Sequence, residues 1–200
     1  MNDFLRLFSS FSFISESPAV IYVGKIPDPI MAELDDMVNA CRQIKESEFS
    51  SLFEHINAGQ NTYQCSIPSR IFEGSLSHAF IISACEMMVS QILNVDLRMI
   101  RDARNLEIFK YNGHHSGHDI WVNFTNKGDV NPIHTHTGVF SGVIYMSGLE
   151  NSCTSFANGL SFAGERGDII LFDSSLAHWV DERTDNSERI TIAFNVTNRH

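Results

Sequence analysis

The second half of this chain is written almost entirely in strand-length runs. LEIFKY, DIWVNFT, NPIHTHT, FSGVIYM, SCTSFAN, LSFAG, GDIILFD, AHWVDE and RITIAFNV follow one another from Leu106 to Val196. Gly, Asn, Asp and Ser punctuate them, and several alternate apolar with polar residues. Short alternating runs separated by turn residues fold as an antiparallel β-sandwich or barrel. Helices come first and strands later, which argues against a doubly wound parallel sheet.

Upstream, the pattern is mixed. PAVIYVG, at 18–24, reads as a strand with Pro at its start. Asp28-Pro29 opens a helix, with Asp as N-cap and Pro in the first turn. Ile30, Leu34, Met37, Val38 and Cys41 then recur at helical spacing to about residue 45. The stretch 46–73 is polar and reads as loop with short pieces. Ser75 or Ser77 begins a second helix, whose stripe is Phe80, Ile81, Cys85, Met88, Ile92 and Leu93. The two helices are expected to pack together against one face of the sheet.

Composition sets outer bounds. The 200 residues allow one domain with a substantial core, and the hydrophobic fraction of 43% is that of an ordinary globular protein. A net charge of −10 argues against bulk nucleic-acid binding. Cys41, Cys65, Cys85 and Cys153 form no C-x-x-C pair and no disulfide framework, so free buried thiols are expected. The opening MNDFLRLFSSFSFIS is apolar, but Ser and charge interrupt it. It is too short to cross a bilayer and fits a signal peptide poorly. It is expected to pack on the domain, with a cytoplasmic location by default and no membrane association.

Chemistry concentrates in three places. His134 and His136 are one residue apart, and residues i and i+2 of a strand share a face. His178 follows in another strand-like run, where a β-barrel can bring it back to the pair. Three neutral imidazoles suit a borderline metal such as iron and leave coordination positions open. Metal affinity is then expected to fall below about pH 6 to 6.5, where free imidazole protonates. Arg189 shares a face with Thr191, Ala193 and Asn195 in the last run. If that face is interior, the guanidinium needs an anion, because an unpartnered buried charge is costly. The alternative is an exterior Arg189 bridging to Asp181, Glu182 or Asp185. Asn123 shares a face with Trp121, and Tyr145 with Ser141 and Val143; buried polar groups of this kind suit a polar pocket. The tract His114-His115-Ser116-Gly117-His118 reads as a solvated turn, and His55, His78 and His200 carry no pattern.

NPIHTHTGVFSGVIYM, GDIILFDSSLAHWVDE and ERITIAFNV together resemble the iron(II)/2-oxoglutarate-dependent oxygenases. The resemblance covers about 118 to 196 and is nearest a subfamily with an H-x-H…SG-x-x-Y signature and an R-x-[ST] ending. SPAVIYVGKIPD, at 17–28, is similar to that subfamily's opening strand. It implies an α+β, mainly β fold. This is a double-stranded β-helix, or jelly roll, over 105–197, with an N-terminal helix-and-strand part over 1–104 packed on one sheet. By position, His134 and His178 are the implied histidine ligands of Fe(II), and His136 stands where most of the superfamily has Asp or Glu. Arg189, with Thr191, is the implied seat of the distal carboxylate of 2-oxoglutarate, and Tyr145 and Asn123 are further cosubstrate contacts. The bulk of the His136 ring argues against halogenation. The implied activity is hydroxylation of a small-molecule or peptide substrate, with succinate and CO2 as coproducts. A homodimer is compatible with this picture.

Two rival classes remain. Gly128, His134 and His136 resemble the start of a cupin motif, which would make a three-histidine metal enzyme that does not use 2-oxoglutarate. The Glu that such a motif requires is missing from Thr137 to Ser141. A non-catalytic metal-binding jelly roll is the second rival.

Overall fold

The computed structural model describes residues 12–13, 21–46, 62–93, 106–108, 110–111 and 117–198. Helix α1 runs Asp28–Glu46. Its first bonds go to the Pro27 carbonyl, which accepts from Ile30 and Met31 at 3.0 Å each, so Asp28 lies inside the first turn rather than before it. Ile30, Leu34, Met37, Val38 and Cys41 are buried, as their spacing predicts.

A short helix α2, Ser69–Phe72, precedes α3, Leu76–Leu93. Ser75 is the N-cap of α3: its hydroxyl accepts the backbone N–H of His78 at 3.0 Å. The Glu33 carboxylate of α1 accepts the N–H groups of Leu76 and Ser77 at 3.2 and 2.6 Å. One helix thus satisfies the orphan donors of the other and places an anion at its positive end. Phe80, Ile81, Cys85 and Met88 of α3 are buried.

The strands are β1 Ser12–Phe13, β2 Ile21–Lys25, β3 Tyr63–Pro68, β4 Leu106–Ile108, β5 Lys110–Tyr111, β6 Gly117–Thr125, β7 Asn131–His134, β8 Phe140–Ser147, β9 Thr154–Phe156, β10 Ser161–Phe162, β11 Asp168–Asp173, β12 His178–Val180 and β13 Arg189–Asn198. They make two antiparallel sheets. The larger is ordered β1-β2-β11-β8-β13-β6-β3, with β4 also on β13 and β5 on β6. The smaller is β10-β9-β12-β7. The fold is a double-stranded β-helix, mainly β, with helices on one sheet.

The larger sheet is covered on both faces, so its central strands have few exposed residues. Ile190, Ile192, Phe194 and Val196 of β13 point to the helices, together with Ile120, Val122 and Phe124 of β6. Val143 and Tyr145 of β8, Ile170 and Phe172 of β11 and Phe156 of β9 form a second core between the sheets. Each fully buried aliphatic or aromatic side chain contributes roughly 1.5–3 kcal/mol, so this alternation fixes the register strongly.

The stretch 46–73, expected as loop with short pieces, contributes β3, whose Cys65 lies opposite Val122 of β6. Cys65 and Ile67 are buried and alternate with Gln64 and Ser66. Two small apolar positions are a faint signature, and the pairing partner supplies the rest. All four cysteines are free thiols, and three of them are buried. Among the described residues, no helix is long and apolar enough to cross a membrane. The opening apolar segment, apart from β1, lies outside the described residues, as do His55, His114, His115 and His200.

Candidate metal and anion site

The three histidines arrive by different routes. His134 ends β7 and pairs in register with His178 of β12. His136 lies beyond the end of β7, in irregular chain held by its backbone N–H to the Ser174 carbonyl at 2.9 Å. The three rings nonetheless face one another, with centroids 4.3, 4.8 and 5.1 Å apart. One nitrogen from each lies within 4.8 Å of the others. No carboxylate belongs to this cluster among the described residues.

Two rings are locked from behind. His134 Nδ1 lies 2.7 Å from the Pro132 carbonyl, and His178 Nδ1 lies 3.0 Å from that of Leu176. A carbonyl only accepts, so each Nδ1 carries the proton and each Nε2 keeps its lone pair. His136 has no such bond among the described residues; its ring packs against Trp121 at 5.8 Å. His178 is buried against Phe172, while His134 and His136 are half-buried. Burial, then repulsion from His134 and His178, holds the His136 pKa down at about 3. Burial likewise lowers His178 to about 4, against an opposing hydrogen bond to Leu176. Both rings are therefore neutral at pH 7 and ready to donate to a metal.

A pocket runs from the histidines to Arg189. Trp121, beside His136, is in register with Ala193 of β13, and Arg189 is four residues away on that strand. Arg189 is 3% exposed and interior. Its Nη2 reaches the Thr154 hydroxyl only at 3.5 Å, and its Nε has no partner. Burial pushes its pKa down. The exterior alternative fails because the candidate acids are engaged or exposed. Asp185 pairs with Arg183 at 2.6 Å, Asp181 accepts from the Trp179 indole at 3.1 Å, and Glu182 is exposed. Glu188 turns away to Arg42 and Lys45 of α1.

Thr191 and Asn123 line the same pocket, and Tyr145 backs it. The Asn123 amide oxygen accepts from Trp121 Nε1 at 3.0 Å and Gln64 Nε2 at 2.9 Å, and its nitrogen donates to the Thr191 hydroxyl at 3.2 Å. The indole can only donate, which fixes the amide orientation. Tyr145 places its ring 5.7 Å from the Arg189 guanidinium carbon and its hydroxyl 2.7 Å from that of Thr154. Burial raises the Tyr145 pKa to about 12, so the phenol stays protonated. Gly164 packs directly on the Tyr145 ring, where any Cβ would overlap it.

Sequence reasoning did not single out Thr154, Thr125 or Gln64. Thr154 is buried and bridges Tyr145 to Arg189, Thr125 lies across from Arg189 in register, and Gln64 holds Asn123. A Thr in an alternating strand carries no local sign of its partner. Trp179 faces Asp181 and does not line the pocket, and the His78 ring packs on Phe72.

No protein-family model and no curated protein matches the chain. Solved structures do match in fold. HygX from Streptomyces hygroscopicus, solved with nickel and 2-oxoglutarate bound, has 9% identity and a TM-score of 0.54, over 98% of this chain and 87% of that one. AviO1 from Streptomyces viridochromogenes has 10% identity and a TM-score of 0.56, over 88% and 89%. SnoN, a non-heme α-ketoglutarate-dependent epimerase from nogalamycin biosynthesis, has 12% identity and a TM-score of 0.55, over 100% and 86%. The fold is thus the double-stranded β-helix of the 2-oxoglutarate-dependent oxygenases.

Proposed function

We propose that this chain is an iron(II)- and 2-oxoglutarate-dependent dioxygenase that hydroxylates a small-molecule or peptide substrate. One observation carries the reading. Arg189 is buried with an unpartnered Nε and no carboxylate among the described residues, and it lines the same pocket as the three converging histidines. Buried guanidinium without a protein anion calls for a ligand anion, and its fork matches a carboxylate.

The donor set fits the group. His134 and His178 would hold the metal through Nε2, each oriented by a carbonyl, and His136 would complete the face. Arg189, flanked by Thr191 and Thr154, would receive the far carboxylate of 2-oxoglutarate. Asn123 orients the Thr191 hydroxyl, and Tyr145 supports the guanidinium from behind. Trp121 packs against the His136 ring and helps to orient it. Bound iron and 2-oxoglutarate supply an oxidant from O2, with succinate and CO2 as coproducts.

The neutral ligand set also favours a second reading, a three-histidine metal enzyme that does without 2-oxoglutarate. Titrating 2-oxoglutarate into the anaerobic iron(II) protein separates the two. A saturable visible charge-transfer band is expected. Arg189→Ala should weaken it by on the order of a hundredfold, given the strength of charge-assisted bonds and a factor of ten per ~1.4 kcal/mol. No band in the wild type moves the assignment to the second reading. Succinate release across a substrate panel then addresses the reaction itself.

A further inference from the structure

We infer that the substrate of this site carries an anionic oxygen group, a carboxylate in the simplest case, and presents it to the side of the metal bordered by His136 and Trp121. The inference rests on the iron and 2-oxoglutarate reading above.

The first ground is charge. Metal-bound imidazoles are neutral, so the three histidines contribute none. Among the described pocket residues Arg189 is the one side chain ionic at neutral pH; the others are amides, hydroxyls, imidazoles and apolar groups. A divalent metal and the guanidinium together carry one positive charge more than the 2-oxoglutarate dianion cancels. Net charge inside a walled pocket is costly unless compensated. With no acidic side chain in the described lining, the substrate is the remaining component that can supply the counter-charge.

The second ground is the asymmetry of the ligands. His134 and His178 are fixed by backbone carbonyls and by the β7–β12 pairing. His136 has neither a carbonyl bond to its ring among the described residues nor a place in a strand. Both His134 and His136 are half-buried, and of the two His136 is the one without the carbonyl lock. Here the ligand set yields most readily to an incoming oxygen group, and the missing negative charge is missing in the same place.

The test uses the full chain loaded anaerobically with iron(II) and saturating 2-oxoglutarate. Acetate, acetamide and methylammonium serve as small anionic, neutral and cationic probes, read as a shift of the retained charge-transfer band. Acetate should shift it at concentrations about tenfold or more below those needed with acetamide, and methylammonium should leave it unchanged. His136→Asp puts the negative charge into the protein and should bring acetate and acetamide to within about twofold. His136→Asn keeps the site neutral and should retain the acetate preference. Equal acetate and acetamide responses in the wild type overturn the inference, as they would if hydroxide supplied the charge. An acetate preference surviving in His136→Asp overturns it too, and the wild-type comparison decides if either variant fails to load metal. A missing 2-oxoglutarate band in the wild type instead sinks the reading on which the inference rests.

Discussion

The two sides of the pocket are built on opposite principles. On the histidine side, His134 and His178 are satisfied in advance by the Pro132 and Leu176 carbonyls, and burial keeps His136 and His178 uncharged. On the arginine side, Arg189 is charged, 3% exposed and short of partners. The histidine side is complete in geometry. The arginine side is incomplete in electrostatics: a buried guanidinium with no carboxylate partner among the described residues. Organising a site and destabilising its empty state are separate devices, and this fold uses one on each side.

Removing a histidine should break the comparison most sharply. His134→Ala or His178→Ala is expected to abolish iron binding in equilibrium dialysis. His136→Ala should leave weaker but measurable binding, because its ring lacks the carbonyl lock. Equal losses at all three positions would show that the locks do not matter.

Next in size is Arg189→Met. Removing an under-satisfied buried charge in favour of an apolar side chain is often neutral or stabilising. The ligand-free variant should therefore melt no lower than wild type, although it loses 2-oxoglutarate binding by on the order of a hundredfold. Added 2-oxoglutarate should raise the wild-type melting temperature and leave that of the variant unchanged. A strongly destabilised variant would mean that Arg189 has a structural anion partner.

The third effect is on pH. His136 and His178 bind protons in the folded protein only near about 3 and 4, below the ordinary imidazole value of 6.5. Between those limits the unfolded chain takes up more protons than the folded one, so stability rises with pH. It is fully present above about pH 6.5 and drains away as pH falls towards 4, by on the order of a few kcal/mol. Urea midpoints of the metal-free protein at pH 7, 5.5 and 4.5 should fall in that order. The same values correct the expectation from free imidazole: at these two ligands, protons compete with metal only as pH nears about 4, not 6.

The smallest effect belongs to Thr191→Val. It removes a hydroxyl that Asn123 orients, and should weaken 2-oxoglutarate by roughly tenfold or less, about the net worth of one hydrogen bond. A loss as large as that of Arg189→Ala would mean that the hydroxyl, not the guanidinium, dominates that side.

Much of this was legible in the chain. The alternation of β13 separates Arg189 and Thr191 from Ile190 and Ile192 with no knowledge of the fold. The helices were legible because their apolar spacing is regular. His136 was less so, because the i, i+2 rule assumes a strand that ends at His134. Its position comes instead from Ser174, far away in sequence in another turn. β3 and Thr154 were hidden for a related reason. Each takes its meaning from a partner across the sheet, β6 in one case and Tyr145 in the other, and local periodicity carries no record of partners.

Gly164 makes a remote loop a determinant of the anion side. The absence of a side chain there lets the Tyr145 ring lie flat, and Tyr145 in turn seats Thr154 and stands behind Arg189. The loop between β10 and β11 therefore acts as a wedge stop, setting how far the whole column can recede. A single methyl group at that stop would be transmitted as displacement through a ring, a hydroxyl and a guanidinium. On the proposed reading, affinity for a carboxylate at Arg189 would be tuned from behind the pocket, by volume alone, without touching any group that meets it.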